Sequence, residues 1–179
     1  MKPPITSAAV PRDGLIAAHL TDADFFDAYT MPLAQGDNRS ALAIYLAIVA
    51  VTPGWINFLM ATRNRVVSMV GLKDVGHVGN VDPAKAPAAY RVEERVGSFS
   101  LLALTDEEII LGDADRHVDA WISLRKLRQE DGPAVVLSTV VHIHNLLGRG
   151  YMLGVVPLHR RIVPAALARA WEADRRGRG

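Results

Sequence analysis

The sequence predicts an α+β fold of the helix-grip kind: a curved antiparallel β-sheet wrapped on a long C-terminal helix, with two helices inserted after the first strand. Three observations carry this. Asp115 to Leu127 and Val135 to Asn145 are long alternating stretches, and between them sits Asp131-Gly132, a strong hairpin signal. Leu147 to Ala173 repeats apolar residues near the helical period. An antiparallel sheet with one open face needs a cover, and that last helix is the obvious one.

The elements follow in order. Residues 1–20, with prolines and aspartates, read as an irregular, loosely attached arm. Asp24 to Leu33 alternates and is taken as the first strand. Asp37-Asn38-Arg39-Ser40 offers a helix N-cap, and Ala41 to Val51 follows as helix. Pro53, suited to a first helical turn, starts a second helix to about Val70, closed by Gly71. Trp55, Phe58, Met60 and Trp171 are expected in the core, and Arg63 and Arg65 on a solvated helix face. Residues 74–89, with Gly76, Gly79, Pro83 and Pro87, form a loop. Arg91 to Val96 is a weak strand, Ser98 to Leu104 a better one, and Glu108 to Leu111 returns after a turn at Thr105-Asp106-Glu107. Pro157 and Pro164 should kink or split the last helix. One domain over residues 21–174 and a basic tail over 175–179 complete the chain.

Composition bounds the function. A length of 179 residues suits one domain. With 50% hydrophobic and 22% charged residues, the chain is not a disordered polymer. Lys and Arg number 20 against 19 Asp and Glu, so the net charge of +1 lacks the basic footprint of a general nucleic-acid binder. There is no cysteine, which excludes disulfides, thiolate catalysis, iron–sulfur clusters and cysteine-held zinc. Met1 to Val10 has no apolar core of a secretory signal. The uncharged run from Ser40 to Thr62 is broken by Pro53-Gly54 and reads as two buried helices rather than a membrane span. A cytoplasmic location is therefore expected, with a small-molecule partner, no nucleic acid and no membrane; a homodimer is left open.

The two long strands hold the candidate chemistry. Asp113, Asp115, His117, Asp119, Trp121 and Ser123 share one parity, and Ser138, Val140, His142 and His144 share another. If Asp131-Gly132 are the two loop residues, Glu130 opposes Pro133, Asp119 opposes His144 and Trp121 opposes His142. That register segregates polarity, with Pro133 as its weak point. Asp119 and His144 are then the catalytic candidates, because a facing carboxylate orients an imidazole and raises its pKa, as acid–base work requires. His117, Trp121 and His142 on the same surface are ligand-binding candidates, and Tyr151 and His159 on the last helix complete the set. The bland alternative is a solvated outer face carrying a surface Asp–His pair. His142-x-His144 resembles half of a metal site, but no Glu follows as in cupins, so no metal is expected. Gly148-x-Gly150 lacks the rest of a phosphate loop, and no nucleophile elbow exists. Arg160 and Arg161 are read as surface residues. No cofactor is implied.

Several stretches resemble one known family. Leu111-Gly112-Asp113-Ala114-Asp115-Arg116-His117-Val118-Asp119, Thr139-Val140-Val141-His142-Ile143-His144-Asn145, Gly148-Arg149-Gly150-Tyr151 and Val156-Pro157-Leu158-His159-Arg160-Arg161-Ile162-Val163 are similar to the bacterial domain-of-unknown-function family 2867. So are Pro53-x-Trp55, Leu59-Met60-x-x-Arg63-Asn64-Arg65 and Gly71-Leu72-Lys73. The resemblance spans about residues 20–171. It implies a distant relationship to the Bet v 1/START-like superfamily, hence a helix grip. It also implies that the domain in some proteins follows an NAD(P)-binding reductase-like domain, which this chain lacks. It transfers no catalytic residue. The leading expectation is a protein that binds an apolar or amphipathic small molecule between sheet and C-terminal helix. The rivals are an acid–base enzyme (cyclase, dehydratase or hydrolase type) using the Asp–His pair, and a non-catalytic module serving a reductase. Whether it is an enzyme stays open at this stage.

Overall fold

The computed structural model describes residues 4–52, 81, 82 and 84–177. The stretch expected as a second inserted helix, with Trp55, Phe58, Met60, Arg63, Arg65 and Gly71, lies outside the described residues. The described elements are β1 (Thr6–Ser7), β2 (Phe25–Pro32), α1 (Ala41–Ala50), β3 (Arg95–Val96), β4 (Phe99–Leu104), β5 (Glu108–Ala114), β6 (Val118–Gln129), β7 (Gly132–Ile143) and α2 (Leu146–Arg176). Short 3-10 helices lie at Leu15–His19 and Pro87–Ala89.

The strands form one seven-stranded antiparallel sheet in the order β1-β2-β7-β6-β5-β4-β3. With α2 laid across one face, the arrangement is consistent with a helix grip. Helices α1 and α2 cover that face, burying Met31, Leu42, Ile44, Ile109, Leu111, Leu124, Val135 and Leu167 between them and the sheet. Fully burying one such side chain contributes about 1.5–3 kcal/mol. Helix α1 starts where the sequence predicts, because Ser40 Oγ accepts from the Ala43 amide at 3.2 Å. Losing that cap should cost about 1 kcal/mol, so Ser40→Ala is expected to lower the urea unfolding midpoint with an unchanged m-value. Arg39, just before the cap, bridges Asp37 at 2.6 Å and Asp174 near the end of α2, tying the two helices together.

Four expectations need correction. The N-terminal arm is not loose. Val10, Ile16, Ala28, Ile110, Val136 and Val140 form a second core on the opposite face of the sheet, with the arm as its cover. Helix α2 is not split; its 31 residues run through Pro157 and Pro164. Proline removes one amide donor per site, and Pro157 lies on the exposed face, where water can serve the carbonyl left over. The first long strand begins at Val118 rather than Asp115, since Asp115 Oδ1 accepts from the His117 and Val118 amides and makes a turn.

The fourth correction is the β6–β7 register. Gln129 pairs with Gly132, so the loop residues are Glu130-Asp131, and every pair moves by two residues. Asp119 lies opposite His142, Trp121 opposite Val140 and Ser123 opposite Ser138. The cause is Pro133. The pair flanking a two-residue turn exchanges both amide hydrogen bonds, and proline has no amide to give. In the observed register Pro133 opposes Arg128, one pair further along, where the ladder asks for no donor, and Gly132 takes the φ of +121° at the turn.

Candidate functional site

An even-numbered slip keeps each residue on its face, so the polar row stays together. It is the choice of face that differs from expectation. Ile122, Leu124, Val135 and Leu137 point to the helices, whereas Trp121, Val136 and Val140 point to the arm. His142 and Asp119 belong to the arm side by parity, which places the expected ligand-binding row away from α2. The 115–117 turn also separates Asp113 from Asp119: Asp113 opposes Ala120 and Ala114 opposes Asp119. Asp113 therefore lies on the helix face, with 11% of its side chain exposed and Arg95 at 3.9 Å.

On the arm side, three rings pack together. His19 stacks on Trp121 with centroids 4.4 Å apart, and His142 meets Trp121 edge-on at 5.3 Å. His142 Nε2–H donates to the His19 carbonyl at 2.8 Å, which fixes its tautomer. Burial first, then the charge of His142, hold the His19 imidazole below its ordinary pKa. Beside this cluster, His144 Nε2 lies 3.1 Å from Asp119 Oδ2, with 41% and 24% of the side chains exposed. The expected Asp119–His144 pair therefore forms, across a diagonal rather than directly.

His117 has a different role. It is 8% exposed, and its Nε2 accepts from Arg116 Nε at 2.8 Å. Nδ1–H then donates to Asn145 Oδ1 at 3.0 Å, the same oxygen that caps α2 by accepting from the Gly148 amide. Through Asn145 this imidazole clips the β5–β6 turn to the start of α2, while the Arg116 contact stays within the turn. Tyr151, on α2, is partly buried.

The sheet-to-helix space holds a pair that sequence reasoning missed. His159, on α2, donates from Nε2 to Asp27 Oδ1 on β2 at 3.0 Å, with side chains 17% and 14% exposed. Thr139 lies directly opposite Asp27 across the β2–β7 ladder and is 6% exposed. Among the described residues, Asp27 Oδ2 and Thr139 Oγ1 are sealed from solvent with no hydrogen-bond partner. Phe25 meets His159 edge-on at 5.7 Å. The Tyr29 hydroxyl, on the same inward row, interacts with the Asp27 carboxylate. Burial, then the Asp27 charge, raise the Tyr29 pKa against the pull of Arg160, and a side-chain hydrogen bond to Asp27 adds to the rise. The signal was present: Asp27 is the one carboxylate in the inward row Phe25-Asp27-Tyr29-Met31.

A cleft of about 50 Å³ opens further along, between α1 and α2, lined by residues including Met31, Ile44, Ile48 and Ala170. It has room for water rather than for a ligand of the usual few hundred Å³. Among the described residues no three His, Asp or Glu side chains converge as metal ligands, and no helix is long and apolar enough to cross a membrane.

Comparison with curated proteins and with solved structures gave no match. One family model does match, over residues 19–166, taking in most of the sheet, α1 and the first two thirds of α2. Both Asp–His pairs fall inside it, and by that match the chain belongs to DUF2867, a family described as proteins of unknown function.

Proposed function

We propose that this protein binds a small amphipathic molecule between the sheet and α2, with Asp27, Thr139 and His159 at the polar end and Phe25 and Tyr29 beside them. The observation that carries the reading is the buried pair of unpartnered oxygens, Asp27 Oδ2 and Thr139 Oγ1, on directly opposed residues. Leaving such groups unsatisfied costs about 1–3 kcal/mol each, more for a charge. A ligand hydroxyl or amine would satisfy both. This departs from the expected set: His159 is retained, while Trp121 and His142 go to the arm-side ring cluster and His117 to the clip at the start of α2. Kinship with the Bet v 1/START-like superfamily belongs to the same reading, supported by the sheet order and the C-terminal helix; a bacterial, cytoplasmic setting is part of it through the family resemblance alone.

The test separates binding from folding. Thr139→Val replaces an unpartnered hydroxyl with a methyl group and is expected to leave stability unchanged or raise it by up to about 1 kcal/mol. Asp27→Asn keeps an acceptor for His159 and should change stability by no more than about 1 kcal/mol. Both variants should weaken binding about tenfold or more for long-chain alcohols or amines, screened by thermal shift and titrated by calorimetry. If Asp27→Asn unfolds the protein, or if both variants bind the same probes as tightly as the wild type, the reading fails.

A second reading is favoured by the Asp119–His144 contact. A half-exposed imidazole oriented by a carboxylate suits proton transfer on a substrate reaching the arm side of the sheet. His144→Ala would abolish turnover without altering occupancy of the helix-side site.

A further inference from the structure

The first half of α2 shows an unusual outer surface. Leu146 is 83% exposed and Leu153 80% exposed, and both lie on the helix's solvent side. Gly150 and Gly154 sit between and beside them with nothing within 4 Å of where a Cβ would stand, and Pro157 continues the line. Single exposed leucines are ordinary on a soluble protein. Here they lie about two turns apart on one side of the same helix, with Leu147 and Leu158 along one margin at 40% and 37% exposure.

Charge says what would meet this face. From Leu146 to Trp171 the helix carries Arg149, Arg160, Arg161 and Arg169 and no Asp or Glu. Those four arginines are exposed. A second copy of the chain docking here would set arginine against arginine. Among the described residues the face is the outer side of a single helix, not a groove that would hold a partner's segment. An exposed apolar stripe on a helix stretch that itself carries only basic charge, with Arg149 and Arg161 nearest the leucines, matches a soft, planar, negatively charged surface. Long arginine stems let the guanidinium groups reach phosphates while the leucines enter the acyl boundary.

We propose that the solvent face of α2 around Leu146 and Leu153 docks on anionic phospholipid. The contact is made from the bilayer surface and needs no span. It is independent of the ligand reading above, because none of Leu146, Leu153, Arg149 and Arg161 takes part in the Asp27–His159 cluster.

The test is flotation of the purified full chain with vesicles of phosphatidylcholine alone or phosphatidylcholine containing phosphatidylglycerol. Binding is expected only with the anionic vesicles, falling on the order of tenfold or more between low and high salt. The double variant Leu146→Gln, Leu153→Gln should lose binding by a similar factor while circular dichroism stays unchanged, as both side chains are exposed. Arg149→Gln with Arg161→Gln should weaken binding and flatten the salt dependence. Equal binding to neutral vesicles, or leucine variants that bind as the wild type does, would overturn the proposal. So would a wild-type dimer, by light scattering, that the leucine variants dissolve.

Discussion

Replacing Glu108 with alanine is expected to lower stability by about 3 kcal/mol, a drop of about 10 °C in Tm for a chain of this size. Glu108 is 5% exposed and opens β5 on the arm side of the sheet. Its carboxylate accepts from the Leu15 amide at 2.8 Å, the Ile16 amide at 3.3 Å and Ser123 Oγ at 2.7 Å. Arg125 lies 3.8 Å away and also holds Asp13 at 2.6 Å. One side chain thus anchors the first turn of the Leu15–His19 helix to the sheet. Alanine would leave two amides and a buried hydroxyl without an acceptor, and Arg125 without one of its two carboxylates. Gln should lie between the two, since it keeps an acceptor but loses the charge. Thermal unfolding by circular dichroism checks the size. Limited proteolysis adds a localised readout, with cleavage of residues 1–20 expected to speed up before global unfolding. A Tm within about 2 °C of wild type for Glu108→Ala would mean that the arm is held by its apolar contacts alone.

The other large effect concerns two glycines of one helix. A Cβ at Gly148 would stand 2.4 Å from the His117 carbonyl oxygen and 3.0 Å from Ile143 Cγ2. The carbonyl cannot yield easily, because it accepts the His144 amide at 2.9 Å. Gly148→Ala should therefore push the start of α2 away from the turn and open both the Asn145 cap and the His117 clip. The loss is about 2 kcal/mol or more, even after the roughly 1 kcal/mol that alanine gains over glycine as a helix former. Gly150→Ala meets nothing within 4 Å and should stabilise by up to about 1 kcal/mol. Opposite signs two residues apart, read by chemical denaturation, isolate close packing from helix propensity. Two changes of the same sign would refute the account.

Much of the architecture was legible because it rests on period. The alternation of Phe25 to Pro32, the Ser40 cap and the helical repeat after Asn145 each have a local cause, and the elements form close to where those causes lie. The hairpin register was misread by two residues, since Asp131-Gly132 is a strong turn signal and Pro133 overrides it through a missing donor. The site was harder to read. Parity tells which residues share a face, but not which face a helix will cover. Both rows of β6 and β7 hold enough apolar groups to be buried, one by α1 and α2, the other by an arm that sequence alone marked as loose. Asp119 and His144 therefore meet as expected but on the far side from α2. His159 meets Asp27, a residue read only as part of a strand. Glu108 was invisible for a similar reason: its partners are backbone amides more than ninety positions away, and amides leave no mark in a sequence.

The two outermost strands, Thr6–Ser7 and Arg95–Val96, are each two residues long. At one border the chain runs on from Ser7 as an irregular segment, with the Ala8 amide still bonded to Ala28. At the other, the half-exposed Arg95 stands guard. A sheet of this width normally offers a neighbour an open row of amides and carbonyls on which to grow. Here, among the described residues, that row is cut to a few groups on each flank, so crowded molecules have little template for adding strand to strand, and resistance to fibril formation is the expected consequence of how the sheet ends.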